Sequence, residues 1–132
     1  MNIGTGTGNS VIFTGSSGNN AALKIEVDAT SNAIDLLNIQ GDLNLSGAFD
    51  QLTFALLNGT SLNQPSYTFA TYTGALTGTF NTVTGAPSGY AVDYSTPNAI
   101  NLIAVPEPST FGALLGGAAL LLSSRRRRQG KA

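Results

Sequence analysis

The side chains able to do chemistry in residues 1–104 are few. There are six carboxylates, on Glu26, Asp28, Asp35, Asp42, Asp50 and Asp93, and a single amine on Lys24; the whole chain of 132 residues has no histidine and no cysteine. Glu26 and Asp28 stand two apart, so on a strand they share a face, the placement that an acid/base pair acting on a glycan would need. Asp28, Asp35 and Asp42 recur every seven residues and would stack if the strands bearing them align. Oxygen ligands alone suffice for Ca²⁺, yet no Asp-x-Asp-x-Asp-Gly loop and no Gly-Gly-x-Gly-x-Asp repeat is present. An acidic glycan also needs cations to neutralise it, and Lys24 stands alone. The acids are therefore expected to end strands and turns, with no catalytic residue, no metal site, no cofactor and no enzymatic activity. The lack of His and Cys excludes disulfides, thiol chemistry, zinc sites and His-dependent triads.

Two other groups invite a chemical reading. Gly4-Thr5-Gly6-Thr7-Gly8 has neither the preceding strand nor the Gly-Lys-Ser/Thr ending of a phosphate loop, and it reads as a flexible segment. Tyr67, Tyr72, Tyr90 and Tyr94 offer faces that stack on sugar rings, but in a strand-rich chain such rings more often pack in the core.

The elements that must position these residues are strands. Leu23, Ile25 and Val27 alternate with Lys24, Glu26 and Asp28, and Leu43 and Leu45 alternate with Asp42, Asn44 and Ser46. Leu52, Phe54 and Leu56 follow, then Tyr67 and Phe69, Phe80 and Val83, Tyr90 with Val92 and Tyr94, and Ile100 with Leu102. Turn markers fall between them at Gly18-Asn19, Gly41-Asp42, Asn58-Gly59, Thr73-Gly74 and Pro87-Ser88-Gly89. Period-two alternation broken this often predicts an all-β body over residues 1–104. The apolar clusters near 25, 37, 44 and 54 look like the steps of a β-solenoid, with a β-sandwich as the alternative. Ala33–Ile39 is the one stretch whose pattern is also compatible with a helix.

The end of the chain is different in kind. Residues 1–104 carry a net charge of −5, whereas residues 105–132 carry +4 from Arg125, Arg126, Arg127, Arg128 and Lys131 against Glu107. An acidic body repels phosphate backbones, so no nucleic-acid partner is expected. From Pro108 to Ser124 there is no charge, and Gly, Ala and Leu dominate. At about 1.5 Å per residue, a helix over 108–124 reaches roughly 25 Å, at the short edge of a hydrocarbon core of ~30 Å. Snorkelling arginines cover the difference. Arg125–Arg128 act as the membrane stop and, by the positive-inside rule, stay cytoplasmic, leaving the body on the far side. Pro106 and Pro108 flank Glu107 and keep the backbone extended, accessible to a protease.

Val105-Pro106-Glu107-Pro108-Ser109-Thr110, an apolar helix and a terminal Arg cluster together resemble a PEP-CTERM protein-sorting signal over Val105–Arg128. The resemblance implies export through the general secretory pathway of a Gram-negative, exopolysaccharide-making cell and transient residence in inner-membrane lipid. It also implies cleavage near the proline motif by an exosortase, a membrane enzyme of cysteine-transpeptidase type. The body would then pass to the cell surface or extracellular matrix, with exopolysaccharide as a further partner. Gly41–Gly47, Tyr67–Gly74 and Gly89–Tyr94 resemble the end of autotransporter-associated β-strand repeat proteins over about residues 33–105. That resemblance implies a right-handed parallel β-helix closing in a few antiparallel strands and used as a non-enzymatic structural element. The alternative is a carbohydrate-binding or glycan-modifying β-helix whose active part lies upstream. Residues 1–20 lack the basic, apolar and Ala-x-Ala parts of a secretory signal. The expectation is a chain that forms the C-terminal piece of a longer protein, with Val11–Phe13 at an open sheet edge.

Overall fold

The computed structural model describes residues 2–3 and 9–106, all of them strand, turn or loop; among these described residues there is no helix. The strands are β1 (Asn2–Ile3), β2 (Ser10–Ile12), β3 (Ala21–Asp28), β4 (Ala33–Ile34), β5 (Leu37–Ile39) and β6 (Asp42–Leu45), followed by β7 (Asp50–Leu57), β8 (Ser66–Tyr72), β9 (Leu76–Gly78), β10 (Thr82–Thr84), β11 (Tyr90–Asp93) and β12 (Ala99–Ala104). They form three sheets, ordered β1-β5-β8-β12-β11, β10-β7-β3-β4 and β2-β6-β9, none of which closes on itself.

The chain visits the three sheets in the same order three times. β1, β2 and β3 are followed by β5, β6 and β7, then by β8, β9 and β10, and each strand lies parallel to its counterpart one circuit later. Paired residues are about one circuit apart in sequence: Ile25 opposes Phe54, Leu43 opposes Leu76, and Ile39 opposes Tyr72. The all-β expectation is met. The ambiguous stretch Ala33–Ile39 is two short strands, β4 and β5, separated by Asp35-Leu36. β9 leaves little trace in the sequence because Leu76 is its one large apolar residue. Phe80, expected on a strand, lies in the connection before β10 and is buried there.

Alternation explains the core. In β7 the inward residues Asp50, Leu52 and Phe54 are buried and those between them partly exposed, and in β3 Ile25 and Val27 do the same. Side chains in register stack on their counterparts, so each circuit covers the apolar face of the one before. Phe54 and Phe69 meet edge to face with centroids 5.3 Å apart. β8 breaks the alternation: Tyr67 and Phe69 point inward, then Ala70 and Tyr72 do. A register shift against β12 at Ile100/Asn101 accommodates the change, the signature of a β-bulge.

The corners need residues without side-chain bulk. A Cβ on Gly41 would overlap the carbonyl oxygen of Asn9, and one on Gly74 would overlap a carboxylate oxygen of Asp42. There the backbones of successive circuits touch: Asp42 donates its N–H to Asn9 O and Gly74 donates to Gly41 O, both at 2.8 Å. The outer faces carry polar pairs at the same spacing. Thr71 donates to Asn38 Oδ1 at 2.6 Å, and Thr53 and Thr84 hydroxyls lie 3.0 Å apart.

β2 forms one edge of its three-stranded sheet, and its Ile12 is 56% exposed, as expected for Val11–Phe13. β3 is covered on its outer side by β4 only at Val27 and Asp28. The cation and carboxylate of Lys24 and Glu26, 2.7 Å apart, sit along the rest of that edge. Charges so placed discourage the pairing of a foreign strand.

Candidate functional site

The acidic residues are tied into the scaffold one by one. Asp28 accepts the backbone N–H of Thr30 at 2.8 Å and of Ser31 at 3.1 Å through Oδ1, and the amide of Asn58 at 3.0 Å through Oδ2. The Thr30 hydroxyl in turn donates to the Asn58 carbonyl, closing the corner between two circuits. Asp35 accepts the Glu26 N–H at 2.9 Å. Asp42 Oδ1 accepts the Ala75 N–H at 2.8 Å, and Asp50 Oδ1 accepts the Asn81 N–H at 2.5 Å. Asp28, Asp35 and Asp42 thus hold three separate places, on β3, on the β4–β5 connection and at the start of β6, and serve three separate turns. The seven-residue recurrence does not produce a column, because counterparts in successive circuits lie about thirty residues apart. Among the described residues no three acidic side chains converge. Asp50 is 1% exposed, and its Oδ2 has no hydrogen-bond partner in the structure.

These bonds shift two carboxyls. The Asn58 amide holds Asp28 below the ordinary carboxylate value, helped by the N–H groups of Ser31 and Thr30. The Ser95 hydroxyl and N–H do the same for Asp93, with Thr96 and Asn101 adding to them. A group whose folded pKa lies below its unfolded value stabilises fully above the unfolded value and loses that contribution as pH falls through the folded one. The melting temperature of the body is therefore expected to fall as pH drops below the ordinary value of 3.8. The double variant Asp28→Asn, Asp93→Asn is expected to flatten that decline. A thermal melt series over the acid range checks both, and an unchanged slope in the variant would refute the assignment.

The tyrosines belong to the scaffold. Tyr67 is 5% and Tyr72 6% exposed, so neither ring face is open to a sugar. Tyr67 donates to Asn32 Oδ1 at 2.9 Å and accepts the Gln64 N–H at 3.2 Å, while Tyr90 donates to the Gln64 carbonyl at 2.6 Å. With ring centroids 5.9 Å apart, the pair pins the loop between β7 and β8. The Tyr94 hydroxyl accepts the Phe80 N–H at 3.3 Å. Burial raises the Tyr94 phenol above its ordinary value, and the Asp50 carboxylate adds to the rise. A cleft of about 240 Å³ beside β3 is lined by Leu23, Lys24, Ile25, Asp35, Leu36 and Leu37, and its Asp35 carboxylate already binds the Glu26 N–H.

The remaining candidate is the end of β12. This strand lies between β8 and β11 and runs antiparallel to both. Its last residue, Ala104, donates to the Pro65 carbonyl at 2.9 Å, and Val105 donates to the Gly89 carbonyl at 2.8 Å. Val105 is 46% exposed, and Pro106, with no N–H to give, is exposed beyond it. Residues 104–128 match the PEP-CTERM protein-sorting motif.

No curated protein and no solved structure matches the chain. The match points to an exported protein sorted by an exosortase, with membrane transit toward the cell surface. Its first residue, Ala104, is still paired in the five-stranded sheet. Of the motif residues expected from sequence, Val105 and Pro106 are placed at this strand end; Glu107, Pro108, Ser109, Thr110 and the stop residues Arg125–Arg128 lie outside the described residues, as does the apolar run 108–124. Gly4–Gly8 likewise lies outside them. Among the described residues no helix is long and apolar enough to cross a membrane.

Proposed function

We propose that the chain is a non-enzymatic structural protein of the cell surface or matrix, delivered by its PEP-CTERM tail and cut by an exosortase at Pro106-Glu107-Pro108. The observation that carries this reading is the PEP-CTERM match over 104–128. Residues 108–124 act as a transient inner-membrane helix, and Arg125–Arg128 hold the C-terminus in the cytoplasm. The body is a right-handed β-solenoid closed below β8 by the antiparallel pair β12–β11. Support for the solenoid comes from parallel pairing in all three sheets, since the strands of a sandwich pair mostly antiparallel. The likeness of residues 33–105 to autotransporter-associated β-strand repeats belongs to the same reading. The structural role draws support from acids and tyrosines already committed to turns and loops.

The test is processing. Expressed behind a secretory leader in an exosortase-bearing host, the body is expected to be recovered without Arg125–Arg128, its new C-terminus near Pro106–Pro108 by intact-mass measurement. Replacing Pro106, Glu107 and Pro108 together by alanine, or removing the exosortase, is expected to leave the full-length chain in the membrane fraction. A mature surface protein that retains its four arginines would overturn the reading. Retention of the released body on exopolysaccharide would favour the carbohydrate-binding alternative.

A further inference from the structure

We infer that one corner of the body, made by the loop between β7 and β8, the loop between β10 and β11 and the end of β12, is held against the lipid headgroups while the tail is in place. The inference rests on the membrane role proposed for residues 108–124. Its second footing is the lack of slack. Val105 is still hydrogen-bonded to Gly89, and only Pro106 and Glu107 separate it from Pro108. Three residues of fully extended chain reach about 10 Å at most. The headgroup layer on each side of a bilayer is itself about 5–7 Å thick. A body tethered this closely touches the layer with whatever surrounds its exit point.

The composition of that corner suits a lipid surface. β8 and β11 begin where β12 ends, so Gln64, Pro65, Ser88 and Gly89 surround Val105. No charged side chain occurs in residues 51–92 or 94–106. The loops and strand end of the corner contribute no charged side chain of their own; the carboxylates next to them are Asp28, bonded to Asn58 at the start of the β7–β8 loop, and Glu107 in the tether. The residue before a proline is confined to extended conformations, so Val105 continues outward along β12. The strands of the five-stranded sheet then point at the bilayer, and the direction in which circuits stack lies along it. The far ends of the same strands, at Ile39 and Tyr72, are held about 20 Å away by the seven-residue length of β8.

The chain has no native cysteine, so single labels are unambiguous. Ser88→Cys at the corner, Gln40→Cys beyond the far end of β5, and Ala118→Cys in the apolar run each receive an environment-sensitive fluorophore. The full chain is reconstituted in phosphatidylethanolamine/phosphatidylglycerol vesicles with a nitroxide on either the headgroup or the acyl chain. Headgroup nitroxide is expected to quench the Ser88 label at least about threefold more than the Gln40 label, given strands of ~20 Å between them. Acyl-chain nitroxide is expected to quench the Ala118 label. A twelve-residue Gly-Ser insertion after Pro106 is expected to abolish the difference between Ser88 and Gln40 while leaving Ala118 quenched. Equal quenching at Ser88 and Gln40 in the uninserted chain, with Ala118 quenched, overturns the docking corner alone. An unquenched Ala118 label overturns the membrane reading of the tail and the corner with it.

Discussion

Replacing Phe69 by alanine is expected to destabilise the body by about 3–5 kcal/mol, the range for emptying a buried aromatic site. Phe69 is 0% exposed and lies at the bulge of β8, where the inward face of the strand changes phase. Its ring meets that of Phe54 on β7 edge to face, so it joins two different sheets across the core. A cavity there cannot be filled by sliding β8, because a shift of one residue would turn Tyr67 and Tyr72 to solvent. Against a typical domain stability of about 5–15 kcal/mol, the loss is large enough to bring unfolding near ambient conditions. Urea unfolding followed by tyrosine fluorescence measures it, since the chain has four Tyr and no Trp. Val83→Ala, at a site 40% exposed, should shift the midpoint little, by about 0.5 kcal/mol or less. Comparable losses at both sites would refute the placement of Phe69 between the sheets.

The second large effect is expected at a corner. Gly41 has φ 146°, a conformation that L side chains rarely adopt, and a Cβ there would run into the Asn9 carbonyl. Gly41→Ala must therefore push successive circuits away from each other, weakening the bonds from Asp42 N–H to Asn9 and from Gly74 N–H to Gly41. Backbone strain of about 1–3 kcal/mol, and about 1 kcal/mol for each hydrogen bond lost, give a cost of roughly 3–5 kcal/mol. Gly18 is the control. Its φ is 87°, yet nothing stands within 4 Å of a Cβ built there. Gly18→Ala should cost only the left-handed backbone contribution, about 1–2 kcal/mol. Equal melting temperatures for the two variants would show that the corner has room, and the tight stacking of circuits would be wrong.

Much of the body is readable in the sequence, and the reason is burial on one side. β3, β6, β7 and β12 carry alternating apolar residues because one face of each meets the core. The failures share a cause as well. β9 is three residues long with Leu76 as its one large apolar side chain, and it exists because β6 offers it a ladder, which composition does not record. The repeat distance is not legible. Apolar clusters recur at every strand, whereas the counterparts that pair lie a full circuit apart, and only the register reveals that Ile25 belongs with Phe54. The acids mislead for a similar reason: two carboxylates on one strand face suggest an acid/base pair, but Asp28 is turned toward the next circuit's Asn58 and Glu26 toward Lys24. The sorting motif is legible because a linear signal is written in consecutive residues, and the match covers 104–128.

The buried apolar cluster found in the described residues begins at Ile25 and ends at Leu102, and the sheets are complete at Ala104. A cut beyond Pro106 removes no member of that cluster and leaves the Val105–Gly89 bond untouched. Among the described residues the core is thus assembled before the motif's first proline. Ala104 and Val105 belong to both the sheet and the matched motif, so among the described residues they are the motif positions at which a change would also touch the body.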